Sequence, residues 1–149
     1  MLAVQQKLAT VDQLNGRGFH LVNRCYLCKS DAESVDHLFF KCHFTAELLS
    51  HIMKWLNISA SFTDLPSLIL YIAAMNQRKA WRYKLKSCSI GALVYSIWQE
   101  RNARAFEGKE LPITVLTRRI QFTVSAVLLN SAPEAIYDEV LLALDSTHC

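Results

Sequence analysis

The chain has 149 residues, with 16 Lys and Arg, 13 Asp and Glu and a hydrophobic fraction of 52%. A chain of this length can bury roughly 68–70% of the surface that unfolding exposes, so its size alone does not require a metal for stability. With only four glycines and three prolines, its composition favours a helical globular protein over a disordered one. Its uncharged runs (65–77, 87–99 and 120–133) are shorter than the ~18 residues of a membrane-spanning helix, and "MLAVQQKLAT" lacks the features of a secretory signal, so we expect a soluble intracellular protein, in nucleus or cytoplasm.

The N-terminal part predicts two helices on either side of a cysteine-rich segment. The first carries apolar residues at helical spacing up to Leu14 and ends at Asn15-Gly16 and Gly18. The segment that follows has room for a short hairpin within 21–40. A second helix begins near Thr45, a candidate N-cap, and runs to about residue 57.

The C-terminal part predicts four more helices. One starts at Thr63 or Asp64, with Pro66 in its first turn. A long helix over about 78–107 stops at Gly108, with Cys88 on its apolar face. The last two helices cover 112–130 and 134–144, and Pro133 starts the second. The predicted fold class is mainly α, with a small N-terminal module (1–58) packed on a helical bundle (59–149).

The stretch "CYLCKSDAESVDHLFFKC" has the spacing of a metal site. Two residues separate Cys25 from Cys28, which allows one tight turn to present both sulfurs to one ion, and His37 and Cys42 can complete a tetrahedron from a separate turn. Three thiolates and an imidazole form a closed, soft donor set that suits one structural Zn²⁺ and has no open position for a catalytic water. These four residues are the predicted metal ligands, and the N-terminal module is accordingly predicted to be a Cys3His zinc-stapled module.

Two alternatives remain open for these side chains. Free cysteines are often small buried hydrophobes, which is the interpretation we prefer for Cys88. His20, His43 and His51 lie close enough in sequence to compete as ligands, and His43, next to Cys42, is the main rival to His37. Cys149 has no visible partner.

The motifs of the common enzyme classes are missing from the sequence. It has no H-x-E with P-C-x-x-C, no H-E-x-x-H, no P-loop and no G-x-S-x-G. No two aspartates are adjacent, as the paired carboxylates of a polymerase would require. Asp31, Glu33 and Asp36 are interpreted as solvated loop acids. We expect no enzymatic activity, no catalytic residue and no small-molecule substrate.

Four segments together resemble the zinc-binding region of reverse transcriptases from plant LINE-type (non-LTR) retrotransposons: "KLATVDQLNGRGFHL", "CYLC", "ESVDHLFFKC" and "IWQERNARAFEG". The resemblance implies Cys25, Cys28, His37 and Cys42 as zinc ligands. It also implies descent from a polyprotein whose polymerase and endonuclease are absent here, so we interpret the chain as a remnant. His43 stands where this family usually has proline.

Two functions compete on this basis. Residues 76–119 hold ten Lys and Arg against three Glu, and Arg78, Lys79, Arg82 and Lys86 in "RKAWRYKLK" could contact the phosphates of RNA or DNA. The alternative is a structural or protein-interaction module, in which these residues are an ordinary solvated face and the partner is a second copy or a reverse transcriptase core. Trp98, Arg101 and Asn102 are expected to anchor the long helix, with the indole buried, Arg101 on a carboxylate and Asn102 on a neighbouring backbone.

Overall fold

The structure is a computed structural model that describes residues 8–60, 62–74 and 80–145. Within these ranges the chain forms helices and no strand, so the mainly α prediction is confirmed and the hairpin predicted within 21–40 is wrong. The α-helices are α1 (Val11–Gly16), α2 (His43–Trp55), α3 (Leu65–Ala74), α4 (Ala80–Asn102), α5 (Ile113–Ser131) and α6 (Tyr137–Asp145). Shorter π-helices cover His37–Lys41 and Ala103–Glu107, and a 3-10 turn covers Glu134–Ile136.

Most helix ends follow the signals in the sequence. The Asp64 carboxylate accepts a hydrogen bond from the Ser67 amide at 2.8 Å and so caps α3. Gly108 adopts a left-handed conformation (φ 63°) where the long helical stretch ends. Pro112 directly precedes α5. The predicted start of the long helix at residue 78 lies outside the described residues.

Thr45 is not the N-cap of α2, because the helix already begins at His43 and Cys42 occupies the capping position. The Thr45 side chain is instead fully buried, and its hydroxyl donates to the Leu38 carbonyl at 2.7 Å. The hydroxyl therefore ties α2 to the π-helix before it rather than starting α2.

The core lies between α4 and α5, and α2 packs across both. The π-helix His37–Lys41 packs on α2 and α4, while α6 packs on α5. Buried apolar residues from both sides of the predicted 58/59 boundary belong to one cluster, including Leu38, Leu48, Ile52, Ile97 and Ile120. The division into two domains stays a prediction. The shared core places the cysteine-rich segment directly against α2 and α4.

The predicted apolar face of the long helix packs on this core. Trp81 is buried, and Leu85, Cys88 and Ala92 are partly buried against the cluster. Cys88 therefore packs as a small apolar side chain. No helix in the described ranges combines the length and the apolar character needed to cross a bilayer.

Candidate metal centre

Two tight turns present the four predicted ligands. In the first, the Lys29 amide donates to the Cys25 carbonyl at 2.9 Å, and the Cys25 amide donates to the Asp31 carbonyl at 2.7 Å. Lys29 takes a left-handed conformation (φ 59°) directly after Cys28. The chain therefore reverses within a few residues and brings the Cys25 and Cys28 sulfurs to the same side.

The second pair depends on the π-helix His37–Lys41. The Cys42 amide donates to the His37 carbonyl at 2.7 Å, which is the i→i+5 hydrogen bond of a π-turn. This wider turn places residues five apart over one another, as an α-helix does for residues four apart. The bend expected from the His-x4-Cys spacing is thus a π-turn, a feature frequent at functional sites.

The ligand atoms of Cys25, Cys28, His37 and Cys42 all lie within 4.8 Å of one another. Cys25 Sγ is 4.0 Å from Cys42 Sγ, and Cys28 Sγ is 3.3 Å from His37 Nε2. Tetrahedral zinc with ordinary bond lengths needs about 3.8 Å between two sulfurs and about 3.6 Å between sulfur and nitrogen. The spacing and the chemistry of this donor set therefore fit one zinc ion.

Backbone amides directed at the sulfurs favour thiolates at this site. The Cys25 thiol, by donating to Cys42, lowers the pKa of Cys42 to about 5, with help from the amides of Phe44 and Thr45 and against the effect of burial. The same contact raises the pKa of Cys25. Burial opposes ionisation of Cys28, but hydrogen bonds from the amides of Asp31 and Ser30 and from the side chains of Ser30 and His37 outweigh it and leave its pKa lowered. Thiolates are the form of cysteine that binds metal.

The rival histidines lie elsewhere. His20, His43 and His51 are all exposed, and none belongs to the group of potential metal ligands found in the described part of the chain. His43 follows Cys42, but it begins α2 on the solvent side. The arrangement favours His37 over His43 as the fourth ligand.

A buried ion pair joins the metal loop to α4. Glu33 is fully buried, so its interpretation as a solvated loop acid is wrong. The Arg101 guanidinium donates to Glu33 from Nη2 at 2.7 Å and from Nε at 3.2 Å, and the Val11 amide donates to the same carboxylate at 3.0 Å. Arg101 also lies over the rings of Tyr26 and Trp98. One carboxylate thus connects α1, the metal loop and α4.

The predicted role of Arg101 is therefore correct, whereas that of Asn102 is not. The Asn102 side-chain oxygen accepts a hydrogen bond from Arg101 Nη1 at 3.0 Å, rather than bonding a neighbouring backbone. Trp98 is half-buried. These residues therefore anchor α4 mainly through the Arg101 guanidinium.

A second arginine bonds the loop that carries the cysteines. Arg104 donates to the Leu27 carbonyl at 2.9 Å, between the two cysteines, and to the buried Glu100 carboxylate at 2.8 Å. Glu100 in turn accepts from the Leu111 amide at 2.8 Å. Sequence reasoning missed this role of Glu100 and Arg104, whose signal was an oppositely charged pair four residues apart.

The predicted nucleic-acid contacts are only partly described. Arg82 is exposed, with its guanidinium over the Trp81 ring, and Lys86 is half-buried, with its ammonium 5.9 Å from the Tyr71 ring centre. Arg78 and Lys79 lie outside the described residues. Neither described residue lies in the metal centre.

Comparison with known proteins bears on the N-terminal part. Residues 1–48 match the family model described as zinc-binding in reverse transcriptase. No curated protein and no solved structure shows significant similarity to the chain. The matched segment contains all four members of the Cys/His group, so the family match and the geometry agree on one zinc ion held at this place.

Proposed function

We propose that the chain is a non-catalytic zinc module in which Cys25, Cys28, His37 and Cys42 hold one structural Zn²⁺. The observation that carries the proposal is the closed group of three sulfurs and one imidazole, with ligand atoms within 4.8 Å of one another. Such a set leaves no coordination position for a reacting water. Zinc bound here holds the loop whose Glu33 carboxylate accepts from Arg101 of α4 and whose Leu27 carbonyl accepts from Arg104 of the π-helix that follows α4.

Native mass spectrometry of the purified protein tests the ligand set. We expect one zinc per chain in the wild type and its loss in Cys28→Ser and His37→Ala. His43→Ala is the matched control and should keep its zinc, because His43 is exposed and lies outside the group. Zinc loss in His43→Ala with retention in His37→Ala would reverse the assignment. A folded wild type without metal would refute the site.

As a second function we propose that the module binds nucleic acid through the basic side of α4. Exposed Arg82 and half-buried Lys86 lie one turn apart on this helix, in the stretch of residues 76–119 with its excess of positive charge. Trp81 is buried, so this surface offers cations to phosphates rather than an indole for stacking. Binding of this kind depends strongly on salt.

Charge reversal separates this function from a purely structural role. We expect the double variant Arg82→Glu/Lys86→Glu to lose most affinity for single-stranded RNA and DNA in fluorescence anisotropy, while its zinc content is unchanged. Lys41→Glu/Lys54→Glu changes two exposed lysines elsewhere and is the matched control. A wild type that binds neither polymer favours the alternative, a zinc-stabilised module for protein interaction.

For its origin, we propose a remnant of a plant LINE-type retrotransposon reverse transcriptase. The support is the family match over residues 1–48 together with the "WQERN" segment that follows far downstream and supplies Arg101 to Glu33. The partners in this proposal are nucleic acid, a reverse transcriptase core or a second copy. Primer extension by the purified chain would contradict its non-catalytic character.

A further inference from the structure

A cleft of about 370 Å³ lies directly beside the metal centre, away from the basic side of α4. Its volume is at the low end of the roughly 300–1,000 Å³ typical of small-ligand sites, which suits a single nucleotide. Apart from the ligand Cys25, the cleft is lined by Val22, Arg24, Tyr26, Lys29, Arg104 and Glu110.

The loop on one side of the cleft is exposed and yet fixed in place. Every residue from 16 to 24 is exposed, and Val22 is 87% exposed. The Asn15 side chain holds this loop through two hydrogen bonds to the Leu21 backbone, at 2.8 and 2.9 Å. Asn23 accepts from the Glu33 amide at 2.8 Å. The backbone of the loop is therefore already ordered, which lowers the cost of binding to it.

The charges in the cleft suit an anion. Three cations line it, and two of them have carboxylate partners: Lys29 pairs with Glu110, and Arg104 pairs with Glu100 and Glu110. Among the described residues Arg24 has no such ion pair. Arg24 uses Nε to bond the Lys29 carbonyl, so its other nitrogens have donors to offer. The loop itself, residues 16–24, contains two arginines and no acid. A guanidinium presents its donors in the geometry that matches phosphate oxygens.

The remaining walls suit a base. Tyr26 is half-buried and lines the cleft, with the Arg101 guanidinium 5.0 Å from its ring centre. Val22 adds exposed apolar surface on the loop. Side chains that donate hydrogen bonds to phosphate, placed beside an aromatic ring, are typical of sites for single-stranded nucleic acid, because every base has a π-face for stacking.

We propose that this cleft binds one nucleotide of a single-stranded nucleic acid, with its phosphate on Arg24 and Lys29 and its base against Tyr26 and Val22. The proposal rests on the nucleic-acid binding proposed above and adds a second contact to it, next to the zinc. Zinc fixes the Cys25–Cys28 turn that carries Tyr26, so the cleft depends on the metal.

Fluorescence anisotropy with 12-nucleotide U and T oligomers tests the cleft, because it compares RNA with DNA on the same surface. We expect Arg24→Glu to weaken binding about tenfold and to make the salt dependence shallower by about 0.7 for the lost phosphate contact. Arg17→Glu is the matched control, since Arg17 is exposed in the same loop but does not line the cleft. Arg24→Lys should recover part of the affinity, and native mass spectrometry should show one zinc in each variant.

Photo-crosslinking with a 4-thiouridine oligomer gives a second measurement, which requires no variant. We expect mass spectrometry to place the crosslink on residues 22–29. Equal losses in Arg17→Glu and Arg24→Glu, or a crosslink confined to α4, would overturn the cleft and leave nucleic-acid binding intact. A wild type that binds neither oligomer would overturn both proposals.

Discussion

At the scale of single residues, the burial of Glu33 could not be predicted from the sequence. In the sequence it is one of three acids in a loop, a pattern typical of a solvated surface. In the structure it is buried against Arg101, 68 positions away. Burying a carboxylate costs several kcal/mol unless opposite charge and hydrogen bonds compensate, and the partners that compensate come from two distant helices. The Cys/His ligands were predictable because their spacing is local, whereas this pairing is set by the tertiary fold.

We expect Glu33→Ala to lower the free energy of unfolding of the zinc-loaded protein by about 3–5 kcal/mol, because it leaves the Arg101 charge buried without its partner. Urea denaturation followed by circular dichroism measures the change. Glu107→Ala removes an acid of the exposed pair with Lys109 and should leave the urea midpoint unchanged. Equal shifts in the two variants would show that the buried pair contributes nothing special.

At the scale of elements, the predictable helix ends are those fixed by backbone chemistry. Gly108 and Pro112 mark the end of one helical stretch and the start of the next wherever the rest of the chain lies. The start of α2 was missed because the π-turn before it moves the capping position from Thr45 to Cys42, three residues towards the N-terminus. A π-turn has no propensity signature of its own, so Thr45 kept the appearance of an N-cap.

Substitution by alanine should change the stability of the protein in opposite directions at Gly91 and Gly108. A Cβ at Gly91 or at Gly108 meets no atom within 4 Å, so packing does not distinguish them. Gly91 lies exposed inside α4, and Gly91→Ala should stabilise the protein by about 0.5–1 kcal/mol. Gly108 has φ 63°, and Gly108→Ala should destabilise it by about 1–2 kcal/mol. Thermal unfolding measures the change in stability of both variants. Changes of the same sign would contradict the assignment of Gly108 to the helix end.

At the scale of the whole molecule, the metal loop forms one structural unit with the end of α4 and with the π-helix Ala103–Glu107 that follows it. Arg101 bonds Glu33, and Arg104 bonds the Leu27 carbonyl between two ligands. Phe44, at the start of α2, lies 4.3 Å from the Arg104 guanidinium. Structural zinc contributes on the order of 10 kcal/mol of apparent folding free energy. Because these contacts join the loop to residues about 70 positions further along the chain, loss of zinc should destabilise those residues as well.

Removing zinc should therefore loosen the C-terminal end of α4 and the π-helix after it, as well as the loop. Hydrogen exchange read by mass spectrometry, with and without a chelator, should show faster exchange over residues 24–48 and 97–107. The α6 amides should change less, because α6 packs on α5. Faster exchange confined to residues 24–42 would mean that loss of zinc does not destabilise the end of α4 through the arginine contacts. Uniformly faster exchange would mean that zinc supports the entire core and that the chain unfolds as one unit without it.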